Sequence, residues 1–365
     1  MINKTFEELG EYRAPDGYID FDRVVEENDV ETEREIRGNE NREKDWIDIN
    51  GGRVLVKTNV DGQQNSEYSE LISCALARQA GMETAEYDMV RYKGEQGLIT
   101  KYVCKEGEEM ITLHELIGSG PDVPGYEDTI DIDHVFDNLP LKLKQQGLSE
   151  QDIDECMLGI RKQLLFDLAI MEGDRHLENI SLIFSKVDGK QTVRVAPMYD
   201  TEAALILGNE PEVMEKIYTD WMKTASLTTT QPPKISIIPE AKEEEVSDLP
   251  PALMGFLAQL RSEVKTNKRE EFTTDTEEMW MTTFDFLCED ERAREFFETN
   301  LKNMDIRKAL TEVEMKIGVK VPEHIRGMAI ACFEDRVMAM DYRNRTKLKE
   351  MGRDIKEVSD DNTVR

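Results

Sequence analysis

The chain has 365 residues, 39% of them hydrophobic, and a formal net charge of −31 at pH 7. This length and composition predict a globular protein with one sizeable core or two smaller ones, and they exclude an intrinsically disordered chain. Nucleic acid and anionic membrane are polyanions that so acidic a protein repels, so we expect neither as its main partner.

The sequence carries no signal for membrane insertion or export. Its apolar runs are shorter than the roughly 18 residues that suggest a transmembrane helix, and the polar start MINKTFEELGEYRAPDG lacks the apolar core of a signal peptide. Five cysteines and four histidines are scattered without a C-x-x-C pair, which argues against a disulfide framework, a zinc site or a histidine-based metal site. We therefore predict a cytoplasmic protein.

The first hundred residues predict a small α+β unit. Residues 1–45 are charged and lack apolar periodicity, so we expect surface helix or loop that adds nothing to a core. WIDINGGRVLVKTNV has apolar runs on both sides of a Gly-Gly turn and predicts a hairpin, with Lys57 near the end of its second strand. SEYSELISCALARQAG predicts a helix that is capped by Asn65 or Ser66 and ends at Gly81. AEYDMVRY and QGLITKYVC predict two more strands, and ITLHELIG a short helix.

The remainder predicts a larger, mainly helical unit. Residues 118–150 are rich in Gly, Pro and acidic residues, which predicts a loop or excursion. IDECMLGIRKQLLFDLAIMEGD has a broad apolar face and predicts a central buried helix that ends at Gly173. NISLIFSK and TVRVAPMYD predict a hairpin across the Asp-Gly turn of VDGK. Further helices are predicted in MEKIYTDWMKTA, PALMGFLAQLRSEVKT, EMWMTTFDFLCEDERAREFFETNL, MDIRKALTEVEMKIG and EHIRGMAIACFEDRVMAMDYRNR.

Four polar residues occupy the ends of these predicted elements. Lys57 lies on a strand, Asp174 and Asn179 in a loop between a helix and a strand, and Asp200 where a later strand ends. The D-x-x-x-x-N spacing alone is typical of an ordinary turn. Their order favours phosphoryl transfer, which needs magnesium and a lysine to neutralise phosphates and an acid to orient the acceptor hydroxyl.

These motifs resemble those of HipA-like serine/threonine kinases, a bacterial branch of the protein-kinase-like fold. GDRHLENISLIF followed by VAPMYD is similar to the family's D-x-H-x-x-N and A-P-x-(Y/F)-D pair, and DRHxxN is shared with lipid kinases. SELISCALARQAGMETAEYDMV resembles its glutamate-bearing helix, and RVLVKT its lysine strand. The resemblance runs from about residue 36 to 205.

The resemblance implies a bilobal α+β fold, with a small, mostly β N-lobe containing one helix and a larger, mainly helical C-lobe. We place the N-lobe at residues 1–103, with 1–35 peripheral, the C-lobe at 104–350 and a tail at 351–365. The chain begins only some fifty residues before Lys57. We therefore expect the additional N-terminal β domain of HipA toxins to be absent, and any partner control to come from a separate chain.

The resemblance also implies roles for the catalytic loop. Asp174 is the implied catalytic base, Asn179 a magnesium ligand and Asp200 the main magnesium ligand. His176 either supports the loop or is an ordinary structural histidine. No glycine follows Asp200, so YDTEAAL implies an activation segment unlike that of D-F-G kinases. The remaining loop charges, Glu172, Arg175 and Glu178, are expected to be solvated or to fix the loop.

ATP binding is implied for a second group of residues. Lys57 is expected to contact the α and β phosphates and to pair with Glu70, or with Glu67 one helical turn away. The phosphate-covering loop falls on IRGNENREKDWI, which offers Gly38 and Lys44, although a surface turn explains this stretch equally well. No Ser or Thr lies between Glu33 and Lys57, so autoregulation through a loop phosphoserine is not expected. The implied adenine-binding hinge comprises Thr100, Lys101, Tyr102 and Val103.

Our first hypothesis is a protein serine/threonine kinase that uses ATP and Mg²⁺. The alternatives are a nucleotide-binding pseudokinase or interaction protein and, ranked lower, a small-molecule or lipid kinase, because DRHLEN suits lipid kinases equally. A merely solvated acidic face would require the chance coincidence of all four motifs in order.

Overall fold

The computed structural model describes residues 9–28, 30–34, 42–49, 52–59, 66–118, 130–206, 264–265 and 276–352. Its first part is a six-stranded sheet of β1 (Ile19–Asp20), β2 (Val30–Arg34), β3 (Arg42–Ile49), β4 (Gly52–Asn59), β5 (Tyr87–Tyr92) and β6 (Glu95–Lys101). The strand order is β1-β5-β6-β4-β3-β2, and neighbours are antiparallel except for the parallel pair β1 and β5. The helices α1 (Phe21–Glu27) and α2 (Ser66–Gln79) pack against β5.

The predicted first hairpin is confirmed by the pairing of β3 with β4. Their register runs from Arg42 opposite Asn59 to Ile49 opposite Gly52, while residues 50 and 51 of the turn lie outside the described residues. Lys44 lies directly opposite Lys57. Because directly opposed residues of an antiparallel pair project from the same face, both lysines serve one side of the sheet.

The strand β6 approaches β4 so closely that only glycine fits at position 97. A Cβ added to Gly97 would lie 2.0 Å from the carbonyl oxygen of Lys57 and 2.8 Å from the Cα of Thr58. Both contacts are to backbone, which cannot swing aside as a side chain can. Gly97 therefore determines where β4 holds Lys57.

We expect Gly97→Ala to lower the free energy of unfolding by about 1–3 kcal/mol, because the two strands must separate to admit the methyl group. The matched control is Gly10→Ala, at a position with no atom within 4 Å of the added Cβ. Because the added methyl group meets no neighbouring atom, the stability of Gly10→Ala should remain within about 0.5 kcal/mol of that of the parent chain. Urea denaturation measures both, and equal midpoints for the two variants would contradict the packing argument.

Part of the acidic N-terminal region forms a second core, so our expectation that residues 1–45 contribute nothing to a core is wrong. Ile19, Phe21 and Val24 are fully buried and pack with apolar residues of the sheet. The ring of Phe21 meets the edge of Tyr92 at 5.5 Å between centroids. Since β1 has two residues and α1 has seven, their apolar positions are too few to produce a visible period.

The C-lobe contains a second sheet and most of the helices. Its strands are β7 (Glu109–Thr112), β8 (Ile130–Asp131), β9 (Ser181–Val187), β10 (Lys190–Val195) and β11 (Val264–Lys265). Its helices are α3 (Leu113–Ile117), α4 (Ile132–Gln145), α5 (Glu150–Ile170), α6 (Thr276–Leu287), α7 (Glu291–Thr299), α8 (Ile306–Ile317) and α9 (Glu323–Glu350). The sheet order is β10-β9-β7, and β11 pairs with β8 separately.

EMWMTTFDFLCEDERAREFFETNL is helical as predicted and forms α6 and α7, the second of which is capped by the Asp290 side chain. Two expectations for this lobe are corrected. The stretch 118–150 contains the helix α4. Its buried Ile132, Val135, Leu139 and Leu143 have helical spacing, but the Pro140 inside the helix argued for a loop. MEKIYTDWMKTA and most of PALMGFLAQLRSEVKT lie outside the described residues, but residues 264–265 form a strand instead of a helix.

The predicted buried helix and the hairpin after it are confirmed. α5 begins with a capping box of Ser149 and Asp152 and ends at Ile170, three residues before the predicted end. The β9–β10 turn has positive φ at Asp188 and Gly189, as the Asp-Gly pair predicts. Apolar residues of α2 and α5 belong to one core cluster that joins both lobes. Among the described residues, no helix combines the length and apolar character needed to cross a membrane.

Candidate active site

In the structure, Lys57 lies beside Asp200, which comes shortly after the hairpin of β9 and β10. The Lys57 Nζ lies 2.7 Å from the Asp200 Oδ1 and 3.3 Å from the Glu202 Oε1. The backbone of Asp200 has a positive φ of 57°, and its N–H donates to the buried Tyr87 hydroxyl at 3.2 Å. Tyr87 and the unusual backbone together point the Asp200 side chain toward β4.

Two lysines control the charge of Asp200. Burial alone would raise the pKa of this carboxyl, but the ammonium groups of Lys57 and Lys44 outweigh burial and hold the pKa well below its usual range. Asp200 is therefore ionised at neutral pH. Lys44, predicted within a loop, lies in strand β3, while Gly38 lies outside the described residues.

The predicted pair of Lys57 with Glu70 is not the one formed among the described residues. The Glu70 Oε2 accepts a hydrogen bond from the Thr201 Oγ1 at 2.6 Å, and its Oε1 is buried without a hydrogen-bond partner there. Burial raises the pKa of Glu70, and the Asp200 charge adds to the rise while Lys57 opposes it. Glu67, the alternative partner, is fully buried as well.

The helix α2 also fixes the segment after Asp200. The Ser69 hydroxyl donates to the carbonyl oxygens of Thr201 and Ala204, at 2.7 and 2.8 Å. Carboxylate oxygens of Glu70, Asp200 and Glu202 consequently lie within 4.8 Å of one another. Clustered carboxylate oxygens are the ligands that Mg²⁺ prefers, and the buried Glu70 oxygen without a partner suits a cation, so this donor set fits magnesium.

The arginine of the DRH motif is a structural anchor. Arg175 is completely buried and forms a bidentate ion pair with Asp167, with both contacts at 3.0 Å. Its Nη1 donates to the carbonyl oxygens of Asn179 and Tyr199, at 2.9 and 3.0 Å. Arg175 therefore joins the end of α5, the catalytic loop and the residue before Asp200. Its predicted loop-fixing role is confirmed, whereas the expectation that it is solvated is wrong.

The rest of the loop holds the backbone of Asp174 from both sides. The Asp174 N–H donates to the Glu172 Oε1 at 2.8 Å, and the Asp174 carbonyl accepts from the Asn179 Nδ2 at 2.9 Å. Glu172 and Asn179 are buried, while Asp174 is exposed. The Nδ1 of His176 accepts from the Glu178 N–H at 3.3 Å, which is the loop-supporting arrangement. The loop thus holds the exposed Asp174 on a fixed backbone.

The stability of this loop should depend on pH through Glu172. Burial raises the pKa of Glu172 from about 4.5 to about 8, so in the folded state the group binds a proton more tightly than in the unfolded state. Its contribution to stability is complete below pH 4.5 and is lost as the pH rises through 8. We expect Glu172→Gln to gain stability relative to the parent chain across this window, by up to about 1.4 kcal/mol per pH unit.

Urea denaturation at several pH values measures this difference. The matched control is Glu178→Gln, which neutralises an exposed carboxylate of the same loop and should leave the pH profile of the parent chain unchanged. A constant offset between Glu172→Gln and the parent from pH 5 to 9 would contradict the assigned direction.

The predicted hinge comprises the last two residues of β6 and the two residues that follow it. Thr100 pairs with Leu55 and Tyr87 on the two neighbouring strands. Lys101 forms an ion pair with Glu86 at 2.7 Å. Thr100 is therefore held between two strands, and the Lys101 side chain is held by Glu86.

Tyr102 and Val103 complete this hinge. The Tyr102 N–H donates to the Arg53 carbonyl, and its ring meets the edge of Trp46 at 5.6 Å between centroids. Val103 is partly buried against the main core. Adenine binding at these four residues remains a prediction.

Several site residues were not identified from the sequence. Glu202 lies two residues after Asp200, but no turn or periodicity distinguishes it from the other acids of this chain. Asp167 could have been identified from the sequence, because it is a single acid on the apolar face of a predicted buried helix. A buried charge of this kind requires a partner of opposite charge. The other residues missed are Ser69, Tyr87 and Thr201.

Comparison with known proteins identifies the family. The sequence profile of the HipA-like C-terminal domain matches residues 36–250, which is more than half of the chain. The chain belongs to the HipA-like C-terminal domain family. The resemblance inferred from the motifs is thereby confirmed. No curated protein matches this HipA-like chain by sequence.

One solved structure supports the fold, and a second is similar to a lesser degree. The Helicobacter pylori proinflammatory kinase CtkA is similar at 13% identity and a TM-score of 0.55, over 85% of the HipA-like chain and 95% of CtkA. Shewanella oneidensis MR-1 HipA, solved with HipB and its operator DNA, matches at 14% identity and a TM-score of 0.46, over 84% of this chain and 64% of that one. The likeness to CtkA confirms the predicted α+β kinase-like fold.

Proposed function

We propose that the chain is an ATP-dependent protein serine/threonine kinase that uses Mg-ATP, with Asp174 as the catalytic base. One contact supports this above all: the Lys57 ammonium lies 2.7 Å from the Asp200 carboxylate, although 143 residues separate them in the sequence. A lysine that neutralises phosphate charge beside a carboxylate that holds a metal ion is what phosphoryl transfer requires.

In this proposal Asp200 and Asn179 hold Mg²⁺ together with the neighbouring carboxylates of Glu70 and Glu202. The ion would supply charge neutralisation at the phosphates. Lys57 and Lys44 bind phosphate oxygens from the sheet, as their shared face allows. Phosphate oxygens then compete with the two carboxylates for the Lys57 ammonium. This leaves the carboxylates available to a metal ion.

Asp174 is the proposed base because it holds the first position of the D-x-H-x-x-N motif and because its side chain is exposed on a backbone that is held from both sides. Its N–H donates to Glu172 and its carbonyl accepts from Asn179, so two hydrogen bonds fix its backbone. An exposed carboxylate on a fixed backbone can orient a protein hydroxyl and accept its proton. A catalytic carboxylate is effective mainly because it is held in the correct position relative to the reacting hydroxyl.

The net charge of −31 supports a basic segment as the preferred acceptor, because electrostatic steering raises the rate of encounter with cationic partners. Control by a separate regulatory chain is also part of the proposal, since some family members are toxins under partner control.

The test is transfer of labelled γ-phosphate in the presence of Mg²⁺ to the chain itself and to a mixture of basic proteins. We expect label on Ser or Thr after hydrolysis to amino acids, and no transfer when EDTA removes the metal. Label found on a lipid or a small molecule instead would favour the lower-ranked kinase alternative.

Thermal and urea melts separate nucleotide binding from chemistry. Mg-ATP at about 100 times its dissociation constant should stabilise the folded chain by roughly 2.7 kcal/mol. Stabilisation without transfer would support the nucleotide-binding pseudokinase. A melt unmoved by Mg-ATP, together with no transfer, would remove both nucleotide hypotheses.

A further inference from the structure

A cavity of about 590 Å³ lies apart from the residues assigned to phosphate transfer. Its walls come from residues 80–83 after α2, from α5, from residues 194–198 at the end of β10, and from α7. We call it the α5–α7 cavity. Its volume is in the range of sites that bind small molecules. Its apolar lining includes Met82, Leu158, Val195, Met198 and Phe296.

The helix α5 presents two polar side chains to this cavity. Gly159, Lys162 and Gln163 all line it, and their spacing places them on one helical face. Gln163 is only 3% exposed, and no hydrogen bond joins its amide to another of the described residues. The Gln163 amide can therefore both donate to and accept from a ligand in the cavity.

Lys162 brings a positive charge without a carboxylate partner among the described residues. Its Nζ lies over the Phe296 ring, 5.4 Å from the centroid. The other two cations of the lining are occupied: Arg194 pairs with Glu83 and Glu108, and Arg292 with Asp154 and Asp290. Lys162 is therefore the cation that is left to meet an anionic group.

The helix α7 brings a negative charge to the same cavity. Glu295 lines it one residue before Phe296, and among the described residues its carboxylate forms no ion pair within 4 Å. The cavity thus combines one uncompensated cation, one uncompensated anion, an unpartnered amide and apolar walls. A ligand that matches all four must carry both charges and an apolar group.

We propose that the α5–α7 cavity binds a small zwitterion of the α-amino acid class with an apolar side chain. Lys162 meets its carboxylate, Glu295 meets its ammonium, and Gln163 bonds to either group, because an amide both donates and accepts. The apolar side chain lies against Met82, Leu158 and Phe296. Phosphate transfer is not required for this binding, so the proposal stands or falls independently of the kinase assignment.

Calorimetric titration of the full chain with three matched compounds tests the proposal. L-Phenylalanine carries both charges, 3-phenylpropionate lacks the ammonium and phenethylamine lacks the carboxylate. We expect phenylalanine to bind at least about 10-fold more tightly than either, a difference of about 1.4 kcal/mol. Saturating Mg-ATP should not displace it. Equal affinity for the three compounds, absence of phenylalanine binding, or displacement by Mg-ATP would each overturn the proposal.

Three variants assign the charges. Lys162→Met should remove the preference for phenylalanine over phenethylamine, and Glu295→Gln the preference over 3-phenylpropionate. Lys142→Met, on the neighbouring helix α4 and outside the cavity lining, is the matched control and should bind as the parent chain does. Melting curves establish that each variant is folded. Unchanged preferences in both cavity variants, with folding intact, would exclude these residues as the ligand's partners.

Discussion

Replacing Asp174 or Asp200 by alanine should lower the rate of phosphate transfer by at least about 10³-fold, which corresponds to about 4 kcal/mol of transition-state stabilisation. Asp174→Ala removes the exposed carboxylate that would orient the acceptor hydroxyl. Asp200→Ala removes the carboxylate nearest to Lys57 and, with it, the proposed main magnesium ligand. The measurement is single-turnover transfer of labelled γ-phosphate at saturating Mg-ATP.

The two variants should differ in nucleotide binding. Asp174→Ala should keep the stabilisation by Mg-ATP, because its side chain is not assigned to the phosphates, whereas Asp200→Ala should lose most of it. Glu178→Ala is the matched control, since it removes an exposed carboxylate from the same loop and should leave the transfer rate unchanged. Equal labelling by the parent chain and by both aspartate variants would exclude the kinase assignment.

Replacing Arg175 by methionine should lower the free energy of unfolding by about 3–5 kcal/mol. The change leaves the Asp167 carboxylate buried without its bidentate partner and removes a donor to the carbonyl oxygens of Asn179 and Tyr199. An uncompensated buried charge accounts for most of the expected loss. Urea denaturation of the full chain provides the measurement.

The matched control is Arg78→Met, which breaks an ion pair with Glu312. Both side chains of this pair are about 40% exposed to solvent. Exposed pairs contribute at most about 1 kcal/mol, because water and salt screen them. The double variant Asp167→Leu with Arg175→Met should regain much of the loss, since replacing a whole buried pair is often nearly neutral. If Arg175→Met is no more destabilising than Arg78→Met, the anchoring role is wrong.

The local elements around the site were predictable from the sequence for an identifiable reason. The hairpin of β9 and β10 depends on turn residues with positive φ, Asp188 and Gly189, and α5 depends on a broad apolar face. Such signals are carried by neighbouring residues. The same reasoning failed for α1, which is too short to show a helical period, and for α4, whose internal Pro140 argued against a helix.

The partners within the site were not predictable in this way. Lys57 was expected to pair with Glu70, yet its ammonium contacts Asp200 and Glu202, while Glu70 bonds to Thr201. The order of the motifs predicts the helix or strand that carries each of these residues. It does not predict which carboxylate lies within 4 Å of the Lys57 ammonium, because this distance depends on how α2 packs against the segment after Asp200.

The sequence by itself determined the order of the motifs, the alternation of strands and helices, and hence the family and the chemistry to expect. Only the tertiary structure decided that the DRH arginine is a buried anchor, that Glu202 joins the site, and that Lys162, Gln163 and Glu295 face one cavity. The physical reason is range: turn and helix signals act over a few residues, whereas charge pairing and burial depend on residues brought together from distant parts of the chain.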